Sequence, residues 1–343
     1  MTINLLWPAR RWRDDNSPEV QVAGEGVTCV FGEGADKVTD AQWGACDALI
    51  SGADPLSAEN MGKIDNCRIF ITPKVGFDNI DLKKWGECGI PVCNVPDYGT
   101  QDVADHAMGL LLGLMKGIQQ YNDRLRQDPV GGWRATVQPL ALRLSVAKLG
   151  IVGLGRIGTA MTLRCKAFGM DVSFYDPYKS NGSDLALGIK RTDSLEELFA
   201  TSDIVSIHVP LTGETRNMID ASILSHAKPG LVLINAARGE VVDIDAVYDA
   251  MKAGRVGGAG LDVLPEEPAN ENRPLIASWM RGEAGIGDRV IITPHAAFYT
   301  PQSLFDMRTR GITVALKYLR TGRLENCVNQ AFLTNPRPLK ALA

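Results

Sequence analysis

Apolar residues in this chain fall into short runs separated by longer polar segments. INLLW (3–7), VTCVF (27–31), DALIS (47–51), RIFIT (68–72) and IPVCNV (90–95) each read as a strand, with polar, partly helical stretches between them. Such alternation favours a parallel sheet with helices on its faces. A second, stronger set follows: KLGIVG (148–153), VSFY (172–175), IVSIHV (204–209), LVLINA (231–236), GGAGLDV (257–263) and VIITP (290–294). Helices are predicted near 156–168, 194–201, 221–227 and 243–253, and one more from about residue 300, in SLFDMRTRGITVALKYLR.

Between the two sets the pattern predicts one long helix from about Thr100 to Arg126. Thr100 is placed to cap it, with Asp102 in its first turn to complement the dipole. Its middle, VADHAMGLLLGLM, is apolar all round, which predicts burial between domains or between subunits. The following DPVGGWRATVQPL carries Gly and Pro and reads as an irregular excursion. No internal repeat of fixed short period is present.

A length of 343 residues favours two domains over one core. The formal net charge of −4 argues against a basic face for nucleic acid. Arg10, Arg11 and Arg13 are followed at once by Asp14 and Asp15 and read as a solvated edge. The seven cysteines are odd in number and include no C-x-x-C pair, so neither a metal site nor a disulfide framework is expected. Reduced thiols are the better reading. The N-terminus has no apolar stretch of signal-peptide length, and the longest apolar region, Ala107 to Met115, is far short of the ~20 residues of a spanning helix. A soluble, cytoplasmic protein without membrane partners is therefore expected.

The main local signal is KLGIVGLGRIGTAMTLRCKAFGMDVSFYD. Gly153, Gly155 and Gly158 have G-x-G-x-x-G spacing between an apolar strand and a plausible helix that opens with Arg156 and Ile157. The first glycine permits a tight turn, the second lets a pyrophosphate approach the backbone, and the third lets helix and strand pack closely. The helix N-terminus then offers free N–H groups and partial positive charge to the phosphates. Asp176 ends the next strand, where a carboxylate accepts from ribose hydroxyls and repels a 2′-phosphate. The expected cofactor is NAD rather than NADP, although Lys179 nearby softens that preference.

Three later segments carry polar groups at the ends of apolar strands: Arg238 in INAARGEVVD, Asp262, Glu266 and Glu267 in GLDVLPEEP, and His295 in IITPHAAFY. The carboxyl edge of an open α/β sheet is where ligands bind. An arginine fork matches the two oxygens of a carboxylate and polarises a neighbouring carbonyl. A histidine delivers a proton near neutrality, and a carboxylate beside it orients the ring and favours the imidazolium. Spacing alone does not choose between Glu266 and Glu267.

These motifs together, from KVGFDNIDL through GLGRIG and NAARGEVVD to LDVLPEEP and TPHAAF, resemble the D-isomer-specific 2-hydroxyacid dehydrogenases over nearly the whole chain. The resemblance implies two doubly wound parallel-sheet α/β domains with a cleft between them: a Rossmann nucleotide domain at 99–298 and a flavodoxin-like substrate domain built from 1–98 and 299–343. It implies hydride transfer between NAD and C2 of a small 2-oxo or 2-hydroxy acid, and a homodimer to which the long helix and the excursion near Trp133 contribute. It places the catalytic arginine on Arg238, the glutamate on Glu267 and the acid/base histidine on His295. His208, Pro210 and Thr215 match the loop beside the adenine and phosphates. Ala237 and Asp262 match positions around the nicotinamide, and Val103 a residue touching its side from the long helix. Val75 and Gly76 match the loop whose amides hold the substrate carboxylate.

HAAFY looks most like the subgroup of the C-terminal-binding protein corepressors and their bacterial relatives, which usually carry Trp where this chain has Phe298. Many relatives have Gly at the position of Lys74, so both positions bear on substrate identity. Lys74 reads equally as a cation for a second anionic group or as a solvated loop lysine. His106 on the apolar helix reads as structural, and His226 as an exposed helix end. Two other activities fit the implied fold: an NAD(H)-sensing corepressor-like binding protein, which the intact triad disfavours, and a phosphite-type dehydrogenase. The latter uses a substrate-loop lysine one residue out of register with Lys74. A formate-type enzyme pairs its histidine with glutamine, which Glu267 argues against.

Overall fold

The computed structural model describes residues 2–9, 15–55, 62–135 and 138–339. The basic cluster Arg10, Arg11 and Arg13 lies outside them. The chain divides into two compact units, residues 1–99 with 299–343, and residues 100–298.

The first unit holds β1 (Ile3–Trp7), α1 (Ser17–Ala23), β2 (Val27–Phe31), α2 (Asp40–Ala45), β3 (Ala48–Ile50), β4 (Ile69–Thr72), α3 (Leu82–Glu87) and β5 (Val92–Asn94). All five strands are parallel, in the order β2-β1-β3-β4-β5. The inner strands β3 and β4 are buried at every position. They read as continuous apolar runs because helices cover both faces of a parallel sheet. Trp43, Phe70 and Trp85 are its largest buried side chains, and the Phe70 and Trp85 rings lie 4.5 Å apart.

The second unit begins with α4 (Thr100–Lys116) and α5 (Ile118–Gln127). It continues through β6 (Lys148–Val152), α6 (Arg156–Ala167), β7 (Asp171–Tyr175), α7 (Ser183–Leu187), β8 (Lys190–Arg191), α8 (Leu195–Thr201), β9 (Ile204–Ile207), α9 (Ala221–Ser225), β10 (Leu231–Asn235), α10 (Ile244–Lys252), β11 (Val256–Leu261), α11 (Pro274–Met280) and β12 (Val290–Ile292). Its seven strands are parallel in the order β12-β11-β10-β9-β6-β7-β8. Strand order reverses between β6 and β9, and the loops above that switch point form the ligand crevice of such a sheet.

The single long helix expected over 100–126 is two. Gly117 stands between them at φ 61°, and a Cβ there would lie 2.6 Å from Gln138 Nε2. A left-handed residue with no room for a side chain ends the first helix and redirects the chain. Thr100 is the first residue of α4 rather than its cap, and its buried hydroxyl has no hydrogen-bond partner among the described residues. The apolar face of α4 is spent within its own unit, against α6 and strands β10 to β12, while Asp105, Gly109 and Lys116 are exposed. The helix α11 and the short α7 and β8 were not legible as elements, being too brief to show a period.

The last helix, α12 (Pro301–Thr321), returns to the first unit and packs on α1, β3 and β4. Thr300 caps it by accepting from Ser303 N at 3.0 Å. Arg308 on α12 grips Glu19 of α1 with two bonds of 2.7 Å, both side chains about nine-tenths buried. The segment after α12 then runs along β5. Val328 N donates to Val92 O at 2.8 Å and Asn94 N to Asn326 O at 3.1 Å. Fully buried Asn329 accepts from Val92 N at 2.8 Å and donates to Ile90 O at 3.1 Å.

Candidate active site

The glycine turn lies at the switch point between β6 and α6. Gly153 has φ 88°, and a Cβ on Gly158 would sit 2.1 Å from Gly153 O. A side chain at either position would therefore break the turn or push the helix off it. A Cβ on Gly155 would meet nothing within 4 Å. Gly155 is also the N-cap of α6 and provides no side-chain cap, so the backbone at that helix end is open to a phosphate. Arg156 beside it is exposed and Ile157 half-buried. Asp176 accepts from Leu154 N at 2.9 Å through Oδ2 and from Tyr178 N at 3.0 Å through Oδ1. Those two amides fix its carboxylate against the turn. These residues fit a dinucleotide.

Across the switch point, at the end of β9, His208 Nε2 lies 2.9 Å from Ser206 Oγ. Its Nδ1 is buried without a partner among the described residues. Burial lowers its pKa to about 4, so the ring is neutral near pH 7. The loop that follows is stapled by Thr215, whose hydroxyl donates to Pro210 O at 2.6 Å and accepts from Thr212 N at 2.8 Å. Val103 lies in the core cluster of this unit at 8% exposure.

Arg238, Glu267 and His295 follow β10, β11 and β12, three neighbouring strands of one sheet. Asn235, 1% exposed, shapes the first loop: its Oδ1 accepts from Ala237 N at 3.0 Å and its Nδ2 donates to Arg238 O at 2.9 Å. Arg238 Nη1 donates to Ala237 O at 2.7 Å. The next residue touches the second loop, since a Cβ on Gly239 would fall 1.9 Å from Leu264 C. Leu264 N in turn donates to Glu267 Oε1 at 3.2 Å, and Glu267 Oε2 meets His295 Nδ1 at 2.8 Å. The glutamate thus fixes the imidazole by one nitrogen, Nδ1, and does not engage the other, Nε2. Glu266 is committed elsewhere: Arg273 takes both its oxygens, at 2.6 and 3.2 Å, and holds its carboxyl below the usual range. Geometry therefore makes the choice between the two glutamates that spacing left open.

His295 has φ 51°, an uncommon value for a residue with a side chain. The buried Asp262, 1% exposed, holds that turn. Its Oδ1 accepts from Thr293 Oγ1 at 2.6 Å and Ala296 N at 2.8 Å, and its Oδ2 from Ala297 N at 2.9 Å. Thr293 Oγ1 lies 2.9 Å from His106 Nε2 of α4. The family resemblance implied a position for Asp262 around the nicotinamide; in the structure its carboxylate holds the histidine-bearing turn. Sequence reasoning did not single out Thr293 or Asn235, whose signal is only a polar residue beside a strand end. Phe298 places its ring 6.4 Å from the His295 ring, edge-on at 79°.

In the first unit, the loop after β4 carries Lys74, Val75 and Gly76. Its carbonyls are tied back to β5: Val95 N donates to Lys74 O at 3.1 Å and Asn94 Nδ2 to Val75 O at 2.7 Å. The Lys74 stem lies against Gly52 and lines a cavity of about 70 Å³ with Trp7, Phe31, Ser51, Met307 and Arg308. The Trp7 and Phe31 rings stack at 4.7 Å.

A parallel sheet with this glycine turn and a histidine–carboxylate pair at its carboxyl edge defines a dinucleotide-dependent oxidoreductase. Residues 108–297 match the model of the D-isomer specific 2-hydroxyacid dehydrogenase NAD binding domain, and the chain belongs to that family. It is an NAD-dependent oxidoreductase acting on the CH–OH group of hydroxy acids. Among curated relatives it is 34% identical to the glyoxylate reductase of Korarchaeum cryptofilum, over 93% of this chain and 89% of that one. Among solved structures it resembles the D-lactate dehydrogenase of Aquifex aeolicus, complexed with NAD and lactic acid, at 32% identity and a TM-score of 0.75 over 92% of this chain and 95% of that one. It also resembles the NADPH-dependent glyoxylate/hydroxypyruvate reductase of Sinorhizobium meliloti, at 28% identity and a TM-score of 0.81 over 98% of this chain and all of that one. Among the described residues no helix is long and apolar enough to cross a membrane.

Proposed function

We propose that this protein reduces small 2-oxo acids to 2-hydroxy acids, with residues 99–298 as its nucleotide domain and 1–98 with 299–343 as its substrate domain. The observation that carries the reading is the His295–Glu267 pair at 2.8 Å beside the Arg238 loop. NADH, when bound at the glycine turn, supplies the hydride to C2. Arg238 binds the acid's carboxylate and draws charge onto the carbonyl oxygen as it builds there. His295, protonated and oriented through Nδ1, delivers a proton from Nε2 to that oxygen, and it accepts the proton back in the oxidative direction. The amides of Val75 and Gly76 are assigned to the carboxylate, because the loop's carbonyls are already tied to β5. The test is a panel of 2-oxo acids beginning with glyoxylate, followed by NADH absorbance. Tight NADH binding without turnover on any member would sink the reading.

Cofactor choice is assigned to Asp176. Asp176→Ala is expected to lower the NADH-to-NADPH ratio of kcat/KM by about tenfold or more, the worth of a charge-assisted hydrogen bond. An unchanged ratio would show that Asp176 makes no ribose contact. Lys74 is assigned to a second anionic group on the substrate, with the cavity beside it taking a substituent of a few heavy atoms. Lys74→Met is expected to raise KM about tenfold for acids with a second carboxylate or phosphate and to leave glyoxylate unaffected. Equal effects on both classes would count against that role. A homodimer is proposed through the excursion, where Val130 and Trp133 are 86% and 78% exposed; light scattering that gives a monomer mass would overturn it.

A further inference from the structure

Two cysteines outside the candidate site face each other at the edge of the first unit. Cys93 is the middle residue of β5, and Cys327 lies opposite it in the segment after α12, in an antiparallel bridge. The flanking bonds, Asn94 N to Asn326 O and Val328 N to Val92 O, join the neighbours and not the pair itself. Positions 93 and 327 are therefore a non-hydrogen-bonded pair, where Cα atoms approach most closely, to about 4.5 Å. That lies within the ~4.4–6.8 Å that a disulfide spans. The Cys327 thiol donates to Asn329 Oδ1 at 3.3 Å, and its interaction with the Cys93 thiol brings Cys327 down to about 7 and pushes Cys93 up. Cys327 is half-buried and Cys93 fully buried. Cys46 and Cys67 also touch, but both are sealed in the core at 1% and 0% exposure.

We propose that Cys93 and Cys327 form a redox-modification site that a peroxide converts from a dithiol to a cross-strand disulfide. The Cys327 thiolate attacks one oxygen of hydrogen peroxide, the O–O bond breaks, and a sulfenic acid forms as hydroxide leaves and takes up a proton to become water. The Cys93 sulfur then attacks the Cys327 sulfur, an S–S bond forms, and the sulfenic oxygen departs with a proton as a second water. Two electrons pass from the thiols to the peroxide, and the chain loses two hydrogen atoms.

The site is coupled to the Lys74–Gly76 loop, a link that rests on the substrate-binding reading of that loop. Asn94, the residue after Cys93, holds Val75 O, and Val95 holds Lys74 O. Closing the disulfide draws the two sulfurs from contact to about 2.05 Å, and β5 shifts with Cys93. The loop's two anchors move with the strand, so substrate affinity falls while the histidine chemistry is left alone.

The experiment is titration of the full-length protein with hydrogen peroxide, then alkylation of remaining thiols and peptide mapping by mass spectrometry. The expected result is a peptide pair linked through Cys93 and Cys327, with Cys46 and Cys67 still reduced. KM for the 2-oxo acid should rise severalfold with kcat little changed, and a thiol reductant should reverse both changes. Cys327→Ser should abolish the link and the KM shift. Links through other cysteines, or oxidation of Cys327 beyond sulfenic acid without a link, would overturn the site. A mapped link with unmoved KM would overturn the coupling. The mapping needs no turnover, so it decides the site even if no 2-oxo acid is a substrate.

Discussion

Replacing His295 with alanine is expected to lower kcat by about 10²–10⁴, the usual worth of a positioned general acid. The residue is singled out by its fixation rather than its type. Its Nδ1 is spent on Glu267 at 2.8 Å, and its backbone is held at φ 51°. A ring fixed in this way presents one nitrogen in one direction, which is what proton delivery to a single oxygen requires. NADH affinity, set at the glycine turn, should be nearly unchanged, so titration of cofactor fluorescence separates a chemical defect from a folding one. Turnover close to that of the parent protein would remove His295 from the mechanism. Glu267→Gln should fall between the two, because the amide oxygen still accepts from the ring but carries no charge.

Asp262→Ala should damage both stability and rate. The substitution strands the amides of Ala296 and Ala297 around a carboxylate that is 1% exposed, while the Thr293 hydroxyl keeps His106 as its partner. Each donor left unpaired costs about 1–3 kcal/mol, so a loss of roughly 2 kcal/mol or more is expected. In a unit of this size that is a fall in Tm of at least about 4 °C. The freed turn no longer fixes His295, and a displacement of about 1 Å at a reacting group costs on the order of 10² in kcat. Thermal unfolding and steady-state rates measured on one preparation test both halves. A stable variant with full activity would show that the turn holds itself.

Much of this was legible in the chain because parallel sheets are buried on both faces. Each inner strand appears as an uninterrupted apolar run, and the polar residue that breaks the run marks the carboxyl edge. Arg238 and His295 stood out for that reason, as did the glycine turn, where spacing records steric need directly. Gly117 was missed because one glycine in an apolar helical run reads as a tolerated residue. Only the proximity of Gln138, remote in sequence, makes it a break. The commitment of Asp262 to the histidine turn was hidden for a similar reason. Its partners lie at 293, 296 and 297, more than thirty residues away, and nothing local separates a carboxylate that faces ligand from one that faces backbone. The choice of Glu267 over Glu266 likewise depends on Arg273 reaching back to the first of them.

The division of the chain also bears on how it is made. One unit is continuous, residues 100–298, while the other joins the first 99 residues to the last 45. On the ribosome the continuous unit has every strand of its sheet before Pro301–Thr321 has been synthesised. The N-terminal strands must wait, one face uncovered by that helix and the edge at Val92–Asn94 unpaired, until residues 326–329 have been made and can dock. Nascent chains should therefore bind cofactor before they bind substrate, and premature stops within the final helix should yield an aggregation-prone product rather than a weakened enzyme.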